Sequence, residues 1–321
     1  MSSGAVAPGS IVERPPGRRL PTYRERSWSA LPFITPAVLV VFFFLIVPTI
    51  WTVALSVNKT RGLNFGEEWI GFANYERLLT RDHRFLDTDT FPWKGSFFNN
   101  IRWLIIYPAF CLLLGLLTAV LATRVRYERA FKAIIFVPMA ISATAVGVIW
   151  RFVYSPDPDL GVLNAILGVF GMDPVSWLGR ADLVNYAIIV SYIWASTGFV
   201  MIVLSAALKG ISEEVIEAAR TDGATEWDIF RRIQLPLLSL PIAVVLVWMI
   251  INVIKVFDVI YVMTTGGPGG ASRVIAYSYY VETFENGKGG YGAAVAVVML
   301  LLVIPVMLWQ IRRFRAEAVV K

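Results

Sequence analysis

The sequence predicts an all-α, polytopic membrane protein with six transmembrane helices. Three observations carry that class. The chain is 57% hydrophobic, with a mean hydropathy of +0.64, well above the soluble norm. Several apolar runs are long enough to cross a hydrocarbon core of about 30 Å. Lys and Arg are divided unequally between the segments that join those runs.

In chain order, residues 1–30 hold Arg14, Arg18, Arg19, Arg24 and Arg26 among Pro and Gly. This is expected to be a disordered basic tail. The apolar stretch behind it is too long for a signal-peptide core and no small-residue cleavage site follows, so the tail is expected to be retained. The transmembrane domain then covers 31–311, with spans at about 31–57, 98–123, 131–154, 183–208, 236–263 and 291–311. Each span is expected to be a helix, because lipid offers no partner for an unpaired backbone group. Residues 312–321 form a short tail.

The basic residues orient the spans. Seventeen Lys and Arg fall in the amino-terminal tail, the 124–132 turn, the 209–235 segment and the carboxyl tail. Nine fall in the alternate segments, mostly in one long loop where charge says little. The positive-inside rule places both termini and the 209–235 segment in the cytoplasm. The net charge of +6 follows from this asymmetry, without nucleic-acid binding. Segments 58–97, 155–182 and 264–290 then face outward. They carry Trp69, Phe72, Tyr75 and Trp93, then Ser155-Pro156-Asp157-Pro158 and Trp177, then the non-helical opening Gly266-Gly267-Pro268-Gly269-Gly270. Interfacial anchoring and contact with an extracytoplasmic docking protein are both open for these aromatics.

Cys111 is the only cysteine and His83 the only histidine, so an intrachain disulfide and a His/Cys metal cluster are excluded. No metal site is expected. No G-x-x-x-x-G-K-[ST] phosphate loop occurs, and a single outward His leaves no Ser/His/Asp arrangement. The chain is therefore not read as an enzyme. Driven transport through it would draw on ATP hydrolysis in another chain.

The polar 209–235 segment is the most informative. Ser212 is expected to cap a short helix over 213–221. Gly223 supplies the residue that leaves that helix without a Cβ penalty. Thr225 and Asp228 read as a capping-box start for a second short helix, and Pro236 stands where the next apolar run begins. A helix–turn–helix between two spans suits docking onto a soluble partner. Glu217-Ala218-Ala219, Gly223 and Ile233-Gln234-Leu235-Pro236 resemble the cytoplasmic EAA loop of ATP-binding cassette importer permeases. The resemblance extends to the sugar-importer permeases of maltose, glycerol-phosphate and related uptake systems, through Phe136-Val137-Pro138, Gly161-Val162-Leu163-Asn164, Trp194 to Phe199, Phe257 to Thr264 with Gly266-Gly267-Pro268, and Gly290 to Ala294. The carboxyl end, Phe314-Arg315-Ala316-Glu317-Ala318, resembles alpha-glucoside permeases in particular.

That resemblance implies a second permease subunit, two cytoplasmic ATPase subunits that hold ATP and Mg, and an extracytoplasmic sugar-binding protein, with membrane lipid around the spans. It implies no cofactor on this chain. It makes Glu217, Ala218, Ala219, Arg220, Gly223, Ile233, Leu235 and Pro236 the ATPase-coupling residues, with Glu217 and Arg220 as polar contacts.

The spans also carry polar groups. Lys255 or Asp258 at mid-bilayer costs roughly 2.5–3.5 kcal/mol unless paired or hydrated. On a continuous helix the two share a face with Asn252 and can pair. A structural ion pair and a place on the translocation path both remain open. Span four offers Tyr192, Ser196 and Phe199 on one side. The resemblance implies that this stretch and 252–256 touch substrate, which makes Tyr192, Ser196, Phe199, Asn252, Val253 and Val256 the candidate sugar contacts, with Lys255 and Asp258 beside them. A self-sufficient channel or ion-coupled carrier using Lys255 and Asp258 as a charge relay is the alternative class. A membrane enzyme would need converging catalytic groups at one face.

Two results are expected. Reporter fusions at Lys94, Asp173 and Gly289 read outside, and fusions at Arg126, Glu226 and the carboxyl end read inside; inversion at Glu226 would detach the 209–235 segment from any cytoplasmic ATPase. The purified chain alone neither binds nor hydrolyses ATP.

Overall fold

The computed structural model describes residues 27–60, 62, 68–89 and 91–320, with side chains from Pro32 to Arg313. Residues 1–26 of the expected basic tail lie outside the described residues, and Ser27–Ala30 already belong to the first helix. The chain divides into two units, 1–50 and 51–321. The described part of the first is helical, and its large apolar side chains, Phe33 and Phe44 among them, are exposed.

Four helices are long and apolar enough to cross a membrane: Pro32–Ser56, Ser96–Ala122, Val184–Lys209 and Gly289–Arg313. Two bent pairs pass the same test of length and composition, which makes six if each pair is one span. The expected spans are found at these places, but the third and fifth are not continuous helices. Glu128–Ala140 meets Ala143–Val153 at 101°. Pro138 sits at the start of a 3₁₀ turn, Val137–Ala140; Ile141 is extended, and the Ser142 hydroxyl then accepts from the Ala145 N–H at 3.2 Å. A proline followed four residues later by a capping serine is a stop and a fresh start in the local sequence.

The fifth span bends by 63° between Glu226–Leu237 and Ser239–Ile254. It then stops at Ile254 and resumes as Asp258–Thr264. The non-helical Gly266–Gly270 stretch is found where expected, yet a helix returns within the same segment at Ile275–Tyr280.

In the larger unit the fourth span, Val184–Lys209, is the central rod: 61% of its most apolar window is buried, against 28% for the second and sixth spans. Ile188, Met201 and Leu204 pack there with Trp103 and Tyr107 of the second span and Val245 and Met249 of the fifth. Close approach depends on Gly198. A Cβ on it would meet the Ile135 carbonyl oxygen at 2.5 Å and Phe136 Cα at 2.7 Å, so the third span lies on its backbone. The segment 155–182 is held by Asn164, whose amide donates to the Ser155 and Val175 carbonyls at 2.7 and 3.0 Å and accepts from the Val175 N–H at 2.9 Å.

Gly198→Ala is expected to lower the thermal unfolding midpoint of the detergent-purified chain by a few degrees, at an overpacking cost of about 1–3 kcal/mol. Gly168→Ala, where a Cβ meets nothing within 4 Å, is expected to leave the midpoint in place. Equal midpoints for both variants would remove the close contact from the account.

Candidate functional site

Two groups of residues are candidates: the 213–235 hairpin and a cavity at the breaks of the third and fifth spans. The hairpin begins with the helix Glu213–Thr221, none of whose residues is buried. Ser212 has the extended backbone of a cap, but its side chain makes no capping bond. Glu213 and Glu214 lie in the first turn instead, where acidic side chains favour the positive end of the helix dipole. The helix closes on Gly223 at φ +84°. The Gly223 N–H reaches the Arg220 carbonyl and the Ala224 N–H reaches the Ala219 carbonyl, both at 3.0 Å. This pair of bonds satisfies two terminal carbonyls at the cost of one left-handed residue.

Thr225 caps the second helix as expected. Its hydroxyl accepts from the Asp228 N–H at 3.2 Å and donates to the Asp228 carboxylate at 2.5 Å. That helix runs from Glu226 through a wide π turn at Phe230–Gln234 to Leu237. Pro236 therefore lies in its last turn, and the next apolar helix starts at Ser239. The wide turn accommodates a proline that lacks an N–H and crowds the preceding turn.

Glu217 and Ala218 are exposed, Ala219, Ile233 and Leu235 half-buried. Arg220 is already engaged within the chain: its Nε donates to Glu226 Oε1 at 3.0 Å, and Arg124 donates to Glu226 Oε2 at 3.0 Å. Beside them Glu128 pairs with Lys132 at 2.6 Å and Lys209 at 2.7 Å. The Arg124–Glu226 pair tethers the hairpin to the turn between the second and third spans, and the Lys209–Glu128 pair ties the end of the fourth span to the start of the third. Val215 and Trp227 are exposed apolar side chains on the hairpin that sequence reasoning missed, because polar spacing alone drew the reading there.

The second group lines an open cavity of about 370 Å³ with Ala143, Tyr192, Asn252, Lys255, Val256, Phe257, Asp258 and Val259. Five of the eight candidate path residues meet there: Tyr192, Asn252, Lys255, Val256 and Asp258. Three do not. Ser196 is buried, Phe199 lies against Trp248 with ring centroids 4.4 Å apart, and Val253 is 1% exposed in the core. Phe257 and Ala143 join the lining because the two breaks face it.

Lys255 and Asp258 are both exposed and form no ion pair with each other. Their shared face required a continuous helix, and the helix is interrupted between them. Lys255 closes the carboxyl end of one helix and Asp258 opens the next, where each charge complements the local dipole. Asn252 gives one amide hydrogen to the Trp248 carbonyl at 2.8 Å, which leaves its second hydrogen and its carbonyl oxygen for a ligand. Tyr192 packs on Trp103 and Tyr107 with centroids 5.5 and 5.0 Å away. Among the described residues one group has metal-ligand chemistry, the partly exposed loop trio His83, Asp87 and Asp89, which lies outside both candidate groups.

Comparison with known proteins then bears on the whole chain. Residues 111–312 match the family described as binding-protein-dependent transport system inner membrane component. The chain is 44% identical to the osmoprotective compounds uptake permease protein GgtC of Synechocystis sp., over 89% of this chain and 98% of that one. It is 39% identical to the alpha-glucoside transport system permease protein AglF of Rhizobium meliloti, over 89% and 82%. Its fold matches a chain of a bacterial alginate ABC transporter, solved in complex with an alginate pentasaccharide-bound periplasmic protein, with a TM-score of 0.75 at 24% identity, over 89% and 93%.

Gly223→Val places a β-branched residue at positive φ, at about 1–3 kcal/mol of local strain. Limited proteolysis between 221 and 225 is expected to accelerate roughly 5- to 100-fold, while the spans stay protected. An unchanged cleavage rate would show that the turn does not depend on glycine.

Proposed function

The chain belongs to the family of binding-protein-dependent transport system inner membrane components, and on that premise we propose that it is the permease subunit of an ATP-driven sugar importer whose cargo is an alpha-glucoside or a related disaccharide. The observation that carries the reading is the cavity at the two breaks. A pyranose presents hydroxyls around a ring with apolar faces. Tyr192 and Phe257 offer aromatic surfaces, Asn252 offers an amide that donates and accepts, and Asp258 and Lys255 offer one strong acceptor and one strong donor that do not neutralise each other. The volume falls in the range of small-ligand pockets. The relatives' names, alpha-glucoside and osmoprotective compounds among them, support the same cargo class.

The second permease completes the path, and an extracytoplasmic binding protein delivers the sugar. Both termini and the 209–235 segment lie in the cytoplasm, where two ATPase subunits bind ATP and Mg. One ATPase accepts the exposed Glu213–Thr221 helix in a surface cleft, with Glu217 as the polar contact and Val215 and Trp227 as apolar ones. Arg220 serves the hairpin itself by holding Glu226. Closure of the ATPases on ATP moves the hairpin, and the spans change which side of the membrane the cavity opens to.

The test is uptake by the reconstituted four-part system, with binding-protein-stimulated ATPase measured alongside. Asn252→Leu and Tyr192→Phe each remove a hydroxyl partner and are expected to weaken sugar handling by about 1–3 kcal/mol, roughly 5- to 150-fold, while stimulated ATP hydrolysis persists. Gly223→Val is expected to insert normally but to co-purify little ATPase. Parental uptake and affinity in both cavity variants would reassign those residues to packing.

A further inference from the structure

Three buried asparagines meet at one end of the bundle, Asn99 and Asn100 of the second span and Asn185 of the fourth. The Asn99 amide donates to the Ala271 and Arg273 carbonyls, each at 2.8 Å. The Asn185 amide donates to the same Ala271 carbonyl at 2.6 Å and to Asn99 Oδ1 at 3.2 Å. Arg102 adds a second donor to Asn99 Oδ1, at 3.0 Å. Loop 267–275 is thus fastened by side chains from two spans.

Asn100 differs from its neighbours because it holds two elements at once. Its Oδ1 accepts from the Ile275 N–H at 2.8 Å, at the start of the helix Ile275–Tyr280. Its Nδ2 donates to the Val253 carbonyl at 3.1 Å. Val253 stands one residue before the end of the helix Ser239–Ile254, beside the break that opens the cavity. The amide's orientation is fixed by its partners, since a backbone N–H only donates and a carbonyl only accepts. Beside the group lies a second cavity of about 810 Å³, with Asn99, Asn185 and Ala271 in its lining. Asn185 Oδ1 is buried and lacks a hydrogen-bond partner among the described residues.

We propose that Asn100 is a positioning residue that transmits displacement of loop 267–275 to the break in the fifth span, so that docking of the binding protein on this face resets the sugar cavity. This rests on the importer reading above. Asn100 touches no cargo. It acts through the Val253 carbonyl, by deciding where the last turn before Lys255 ends.

Asn100→Asp separates the two ends of the relay. The carboxylate still accepts from Ile275 but cannot donate to Val253. In the reconstituted four-part complex, the expected result is binding-protein-stimulated ATPase within about twofold of parental and uptake per ATP lower by about tenfold. A thiol reporter reads the cavity directly: Ala143→Cys lines it, and Cys111 is buried. Addition of loaded binding protein is expected to change the reporter's labelling rate several-fold with Asn100 in place, and not with Asn100→Asp. Asn185→Leu, which frees the loop end alone, is expected to blunt the same response and serves if Asn100→Asp does not assemble. A parental labelling response in either assembled variant overturns the proposal. If the parental complex imports no trehalose or maltose yet the labelling response is present and Asn100-dependent, the cargo reading fails and the relay stands.

Discussion

The interruption of the fifth span at Lys255–Phe257 is the constraint on which the rest depends. A helix that stops inside an apolar bundle leaves carbonyls and N–H groups without their usual partners, and hydrocarbon supplies none. Each must be met by protein or by a polar cavity. Both solutions are present. The Val253 carbonyl takes the Asn100 amide, and the exposed side chains of Lys255 and Asp258 lie along an open cavity. The same interruption keeps those two charges from pairing. A continuous helix would have placed them on one face, where each satisfies the other and neither is free for cargo. The break therefore converts a costly structural pair into two separate polar contacts.

The third span supplies the other wall by the same device at a different cost. Pro138 and Ser142 end one helix and start another, and the 101° turn brings Ala143 to the cavity. Between the two breaks stands the fourth span, which is one continuous helix and the most buried of the four continuous candidates. Its close contacts rest on small residues such as Gly198, where the third span's backbone passes too near for a side chain. Small residues at such crossings are what membrane packing favours, because helices there gain from contact and not from leaving water. A continuous central helix flanked by two interrupted spans gives the cavity one unbroken wall and two broken ones.

Much of this was legible in the sequence. Run lengths gave the number of spans, and polar spacing between Ser212 and Pro236 gave two short helices with Gly223 as the turn. Those signals are local, so they survive folding. The breaks were not read, although Pro138 followed by Ser142 is a local signal of the same kind. High apolarity over 131–154 and 236–263 outweighed it, because hydropathy averages over a span and is blind to a three-residue interruption. Lys255 and Asp258 were seen as a possible pair only because a continuous helix was assumed. Ser196, Phe199 and Val253 do not line the cavity, and their packing depends on neighbours from other spans that no one-dimensional pattern records. Asn99, Asn100 and Asn185 escaped notice for that reason too: their partners are some 86 to 175 residues away.

The proposed coupling has a mechanical basis in the fifth span's own shape. Glu226–Leu237 and Ser239–Ile254 are joined at a 63° bend, with Leu238 buried at the corner. Sixteen residues of helix span about 24 Å at 1.5 Å per residue, so the hairpin end and the cavity end belong to one bent lever. The hairpin end is held by exposed ion pairs through Glu226, which are screened and weak. The cavity end is held by buried amide bonds through Asn100, which lose their partner only at the desolvation cost of a buried polar group. A lever with a soft hold at one end and a firm one at the other moves first where it is soft. On the coupling proposed above, force applied to the hairpin reaches the cavity as a change in the angle of the last turn before Lys255, with the Asn100 amide contact as the hold at that end.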